Sequence, residues 1–114
     1  MNNTLKELAK ESLVTSREKG FEDATVENLG SKLLLIVTEI AEAYETVRSG
    51  DGPKMVWYSG LNGEGKPEGL GSELADIVIR TINVAEALEI DIEARVIEKM
   101  AFNKTRPPKH GRKF

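Results

Sequence analysis

Apolar residues recur every three or four positions through four segments of this chain, and this spacing restricts its fold more than any other feature. It places the apolar side chains on one face of an α-helix. The run Leu33–Val37 could alternatively be a buried strand, but the pattern continues at helical spacing to Val47, which is long for a strand. We therefore predict an all-α fold, a four-helix bundle, with helices over about 4–19, 26–48, 70–89 and 92–105.

Glycine and proline are concentrated between the second and third of these segments, over residues 49–69. This composition predicts a loop, in which Met55–Tyr58 is a candidate arm of a short hairpin. At the helix starts, short polar side chains can accept hydrogen bonds from the first backbone N–H groups. We expect Asp23 or Thr25 near the start of the second helix and Asp91 at the cap of the fourth.

Basic residues are concentrated at the carboxyl end of an otherwise acidic chain. The 114 residues have a formal net charge of −3, yet no acidic residue follows Glu98. Two prolines after Arg106 end the last helix, so we assign residues 1–106 to one helical domain and residues 107–114 to a basic tail. Such a tail is either simply solvated or contacts an anion, and charge alone leaves both possibilities open.

The composition narrows the classes of protein to consider. Hydrophobic residues make up 39% and charged residues 31% of the chain, as is typical of a soluble domain. The apolar runs are too short to span a membrane, and the amino-terminal residues lack the pattern of a secretory signal. The absence of cysteine excludes disulfides and thiolate metal ligands. We expect a cytoplasmic protein that does not enter a membrane.

Two acid pairs stand at i and i+3 on the second and third predicted helices. Glu39 and Glu42 form one pair, and Glu73 and Asp76 form the other. Each pair shares one helix face, and no basic residue within either stretch balances its charge. Four carboxylates between two packed helices would repel one another, which a hard dication such as Mg²⁺ or Mn²⁺ would relieve. Alternatively, these are ordinary surface acids that never converge.

Polar residues further along the chain could complete a site for phosphate groups. Arg80 and Asn83 continue the acidic face of the third helix, at about 100° per residue. Lys99, Asn103 and Arg106 lie at the end of the fourth helix, and their cations suit phosphates that extend beyond a metal. The alternatives are that Asn83 is an ordinary half-exposed residue and that the cations only favour the helix carboxyl terminus.

These motifs together resemble those of the MazG-like all-α nucleoside triphosphate pyrophosphohydrolases. Besides the acid pairs, Gly69–Arg80 is similar to the family's third helix, and Lys99–Pro107 with His110–Gly111 is similar to the tail of its small members. Asn83 falls where related sequences carry Asn or Asp. The resemblance covers roughly residues 30–114, and the segment between the acid pairs is longer than the spacing most common in the family.

The resemblance implies a magnesium-dependent hydrolysis of an NTP or dNTP to the monophosphate and pyrophosphate, as in house-cleaning of the nucleotide pool. It implies catalytic metal ligands at Glu39, Glu42, Glu73 and Asp76. It also implies substrate contacts, of which the candidates are Asn83, Lys99, Asn103 and Arg106. Trp57 or Tyr58 could stack on a nucleobase, although such residues more often pack on a helix or subunit. Family members form homodimers or homotetramers, and the apolar character of Leu33–Val37 fits burial beyond one chain.

Two other functions stay open at this point. Phosphoribosyl-ATP pyrophosphohydrolases are similar in fold, but the tail of this chain is less like that branch. A non-catalytic helical interaction module would use the acids as a solvated face and the basic tail as a contact surface. Only Phe102 and Phe114 are aromatic in that region, so a stacking platform for single strands is not indicated, and nucleic acid is not an expected partner.

Overall fold

The computed structural model describes residues 3–61 and 65–111. Its four helices are α1 Leu5–Glu18, α2 Leu29–Arg48, α3 Leu70–Ala87 and α4 Ile92–Thr105. An antiparallel pair of short strands, β1 Trp57–Ser59 and β2 Lys66–Glu68, precedes α3, and a 3₁₀ turn, Pro108–Gly111, follows α4. The predicted helical class is confirmed, and the hairpin in the glycine-rich loop begins two residues later than predicted.

Side-chain hydrogen bonds set the starts of α1 and α4. The Thr4 hydroxyl accepts a hydrogen bond from the backbone N–H of Glu7 at 3.2 Å. The Asp91 carboxylate accepts one from the N–H of Ala94 at 3.0 Å. Each bond satisfies a backbone donor that has no partner inside its helix. The predicted cap at Asp91 is therefore confirmed.

The start of α2 differs from the prediction, because the helix begins at Leu29 rather than near residue 26. Thr25 and Asn28 hold a turn in front of it with two reciprocal bonds. The backbone N–H of Thr25 donates to the Asn28 side-chain oxygen at 2.7 Å, and the N–H of Asn28 donates to the Thr25 hydroxyl at 3.2 Å. These local bonds compete with helical ones, so Asn28 rather than Asp23 or Thr25 is the residue at the cap.

Helix α3 is the centre of the fold, because α1 and α2 both pack along it. Asn83 ties α1 to α3, since its Nδ2 donates to the Ser12 carbonyl oxygen at 3.2 Å and to the Ser16 hydroxyl at 3.1 Å. Helix α4 contacts α1 and α3. Helices α1, α2 and α3 together line a largely apolar cleft of about 830 Å³.

The buried hydrophobic residues are mostly small, namely Ala9, Leu13, Ala24, Ala43, Ile82 and Ala85. Within the described ranges, no large side chain is completely buried. On α2, by contrast, Leu34 is 65% exposed and Val37 is 56% exposed. The radius of gyration is 16.7 Å, against about 13 Å for a compact chain of this length. One chain therefore does not enclose a core of ordinary size.

Of the helices in the described part of the chain, none has the combined length and apolar character needed to cross a bilayer.

Gly69 joins the hairpin to α3. Its φ is +114°, in a region that L residues rarely adopt, and a Cβ at this position would overlap the carbonyl oxygen of Met55. The same Cβ would lie 3.6 Å from the Trp57 ring. Glycine is thus required by backbone conformation and by space. The Gly69 carbonyl oxygen accepts a hydrogen bond from the backbone N–H of Glu73 at 3.1 Å. The conformation of Gly69 therefore helps to set the first turn of α3.

Candidate metal centre

The packing of α2 on α3 brings three acids together. Carboxylate oxygens of Glu39, Glu42 and Glu73 all lie within 4.8 Å of one another. Glu39 is buried, Glu73 is partly buried and Glu42 is exposed, so the group is accessible from the Glu42 side. We call these three residues the acid triad. Their separation is suited to a shared cation, because oxygens that bind one ion directly must approach each other this closely.

Asp76 is not among the acids whose carboxylate oxygens lie within this distance of one another, so its predicted place as a fourth metal ligand stays a prediction. It is still close enough to interact with the triad. Partial burial of its carboxyl group raises the pKa of Asp76, and the charge of Glu39 raises it further, while Arg80 and Lys66 act in the opposite direction. The reason for the difference is that α-helical spacing fixes a shared face but not the reach of each side chain across to α2.

Glu73 carries the clearest sign of a missing partner. Its Oε2 atom is buried and forms no hydrogen bond with any described residue. Burial raises the pKa of Glu73, and so do the charges of four neighbouring acids, Glu42, Asp76, Glu39 and Glu68. A buried carboxylate oxygen without a donor is costly. A cation at the acid triad would supply the partner that this atom lacks.

Arg80 pairs with the triad from α3. Its Nε donates to Oε1 of Glu39 at 2.8 Å. The sequence placed Arg80 on the acidic face of its helix but gave it no partner. The four-residue step from Asp76 was the signal that it would lie beside the acids, since residues at i and i+4 are neighbours on a helix.

The predicted substrate contacts lie in different parts of the described chain. Asn83 lines the cleft, but its amide N–H groups bind α1. Trp57 is half-buried on β1, beside Gly69. Lys99 and Arg106 each lie 5.6 Å from the centre of the Phe102 ring, which is a cation–π distance.

Asn103 is an exposed residue on α4. In residues 3–61 and 65–111, neither it nor Lys99 nor Arg106 forms a hydrogen bond or ion pair with the acid triad through its side chain. Their predicted role in binding phosphate therefore stays a prediction. His110 and Gly111, which also carried the resemblance, belong to the 3₁₀ turn that follows α4.

We expect Glu73→Gln to stabilise the metal-free chain near neutral pH by about 1 kcal/mol, because it removes the charge from a poorly solvated oxygen. A folded-state pKa above the ordinary value of 4.5 means that the folded chain binds this proton more tightly than the unfolded chain. The proton on the Glu73 carboxyl group contributes its full stability below pH 4.5. This stability is lost as the pH rises through the pKa of Glu73 in the folded chain. Urea unfolding with a chelator at pH 5 and pH 8 measures the effect.

Glu45→Gln is the control for this measurement. Glu45 is also on α2, and its exposed carboxylate pairs with Arg48, so stability should change by no more than about 0.5 kcal/mol. A Glu73→Gln chain that is destabilised equally at both pH values would contradict the interpretation of Glu73 as an acid under strain.

Comparisons of the chain with family models, with curated proteins and with solved structures found no match.

Proposed function

We propose that this chain is a MazG-like, magnesium-dependent nucleoside triphosphate pyrophosphohydrolase, which hydrolyses an NTP or dNTP to the monophosphate and pyrophosphate. The observation that carries the proposal is the acid triad, in which two helices contribute three carboxylates and Glu73 keeps a buried oxygen without a partner. The resemblance of the chain's motifs to those of the MazG-like family also supports a role in house-cleaning of the cytoplasmic nucleotide pool.

The donor set fits a hard dication. All the available ligands are carboxylate oxygens, which suit Mg²⁺ or Mn²⁺ better than softer metals. Glu39, Glu42 and Glu73 would hold the ion, with Asp76 next to them on α3. When bound, such an ion polarises a phosphoryl oxygen, activates water and neutralises the leaving pyrophosphate.

The cleft between α1, α2 and α3 supports a nucleoside as the remainder of the substrate. It reaches Glu39 and Asp76, and its walls are mainly apolar side chains such as Leu8, Leu35 and Ile82. A volume of about 830 Å³ is within the usual range for a small-molecule site. Apolar walls suit the faces of a base and sugar, while the acids at the edge suit a metal-bound triphosphate. Lys99, Asn103 and Arg106 are kept as proposed phosphate contacts, from the same chain or from a second copy.

We further propose that the bundle is completed in a homodimer or homotetramer. The support is the accessible apolar face of α2, with Leu34 and Val37 more than half exposed, and the absence of a completely buried large side chain within the described ranges. Association would bury this face.

The test is a product assay with a panel of NTPs and dNTPs. We expect equal amounts of monophosphate and pyrophosphate in the presence of Mg²⁺, no reaction with excess chelator, and recovery when Mg²⁺ or Mn²⁺ is returned. Release of orthophosphate in place of pyrophosphate would contradict the reaction type. A non-catalytic interaction module would instead give no product and no calorimetric heat with Mg²⁺. Its Asp76→Asn variant would then behave like the wild-type chain in both measurements.

A further inference from the structure

A positive charge already lies against the acid triad. The bond from Arg80 Nε to Glu39 Oε1 measures 2.8 Å, and the Glu39 side chain is only 11% exposed, whereas the Arg80 side chain is 44% exposed. A buried carboxylate needs a compensating charge. In the part of the chain that the structure describes, Arg80 is the ion-pair partner of Glu39 and no second one is present. The ion pair therefore links Glu39, the buried member of the acid triad, to an arginine side chain that solvent can reach.

Arg80 uses one of its three nitrogens in this bond. Among the described residues, none accepts a hydrogen bond from its terminal nitrogens Nη1 and Nη2. A guanidinium carries five N–H donors in a planar fork, so the terminal donors are available for another acceptor. Arg80 also lines the cleft together with Asp76 and Asn83. The Arg80 guanidinium therefore contacts the acid triad through Nε and also borders the cleft in which a substrate would lie.

We propose that Arg80 makes the acid triad selective for a metal–phosphate complex over a bare metal ion. Its charge opposes the binding of a lone divalent cation, and its terminal N–H groups favour a cation that arrives with a phosphate chain. This inference rests on the proposed function, since it takes the triad to be a metal site.

The two effects follow from electrostatics and geometry. Even with an effective dielectric constant of about 20, a unit charge a few ångströms from a divalent ion repels it appreciably. Arg80 must also share the Glu39 carboxylate with that ion. A phosphate chain reverses the balance, because a guanidinium can donate two parallel hydrogen bonds to phosphoryl oxygens. Arg80 would hold Glu39 through Nε and the phosphate through the terminal nitrogens.

The test uses Arg80→Met, which removes the charge and keeps much of the side-chain length. Calorimetry of the full chain is done first with Mg²⁺ alone and then with inorganic pyrophosphate at saturating Mg²⁺. We expect the Kd for Mg²⁺ alone to fall about tenfold and the Kd for pyrophosphate to rise about tenfold.

The matched control is Arg95→Met, which breaks an exposed ion pair with Glu98 on α4. It removes the same charge from a surface pair, so neither Kd should change by more than about twofold.

Arg80→Lys keeps the experiment decisive if the methionine variant does not fold, which circular dichroism will show. Lysine preserves the charge, so the Kd for Mg²⁺ alone should stay within about threefold of wild type. A single ammonium group cannot hold Glu39 and a phosphate in the fork geometry, so the Kd for pyrophosphate should still rise about fivefold.

The outcomes separate this inference from the proposed function. Weaker binding of Mg²⁺ alone by Arg80→Met would overturn the inference, because Arg80 would then only orient Glu39. Unchanged pyrophosphate affinity in both Arg80 variants would also overturn it. If the wild-type chain binds no Mg²⁺, with or without pyrophosphate, the metal centre and the proposed function are wrong.

Discussion

Glu42→Gln is expected to lower pyrophosphate release at least about a hundredfold at saturating nucleotide, because a metal ion contributes several kcal/mol to this kind of transition state. Glu42 is the exposed member of the acid triad, so its replacement leaves the packing of α2 on α3 intact. Glutamine keeps the shape of the side chain and removes its charge. The loss should therefore come from the site and not from unfolding.

The measurement is the initial rate of pyrophosphate formation over a range of Mg²⁺ concentrations, with circular dichroism to confirm folding. Partial recovery at high Mg²⁺ is expected, since two triad members and Asp76 are still present. Glu18→Gln, an exposed change at the end of α1, should leave the rate unaltered. If Glu42→Gln releases pyrophosphate as fast as wild type, the assignment of the triad is wrong.

If α2 forms the proposed interface between chains, Leu34→Glu is expected to dissociate the oligomer and to lower its melting temperature by about 10 °C or more, because it would place a charge where water is excluded. In an isolated chain the same residue is 65% exposed, and a substitution at such a surface position changes stability by no more than about 0.5 kcal/mol. The two expectations differ widely, so the variant distinguishes a covered face from a free one.

Sedimentation equilibrium and thermal melting measure this result at matched protein concentrations. Leu34→Met serves as the control, since an apolar side chain of similar volume should preserve both the oligomer and the melting temperature. A wild-type chain that sediments as a monomer would refute the proposed assembly, whatever the variant does.

The sequence predicted the helices well because apolar spacing and caps act over a few residues. Asp91 is an example, since its capping bond spans only three positions. The start of α2 was missed because the reciprocal bonds between Thr25 and Asn28 favour a turn that the apolar pattern does not register. Helical periodicity extends through this turn, and local hydrogen bonds decide where the helix begins.

Convergence of the acids could be predicted only in part. The three-residue spacing put each pair on one face, but the packing of α2 on α3 decides which side chains meet. This packing brings in Glu39, Glu42 and Glu73 and leaves Asp76 beside them. The bond between Arg80 and Glu39 joins residues 41 positions apart, and no local pattern encodes a contact at that separation.

Asn83 shows a similar limit on predictions from the sequence. Its position on the acidic face suggested a substrate contact, yet its amide donates to Ser12 and Ser16 on α1. A polar residue on a functional face can serve packing and binding with different atoms, and only the three-dimensional arrangement shows which donors are already used.

The conformation of Gly69 has a consequence for how this chain could tolerate change. A Cβ at Gly69 would meet the Met55 carbonyl and the Trp57 ring, and α3 begins at the next residue, so the start of the helix is held close to the segment that enters the hairpin. We therefore expect changes of length between β1 and β2 to leave the start of α3, and with it Glu73, in place.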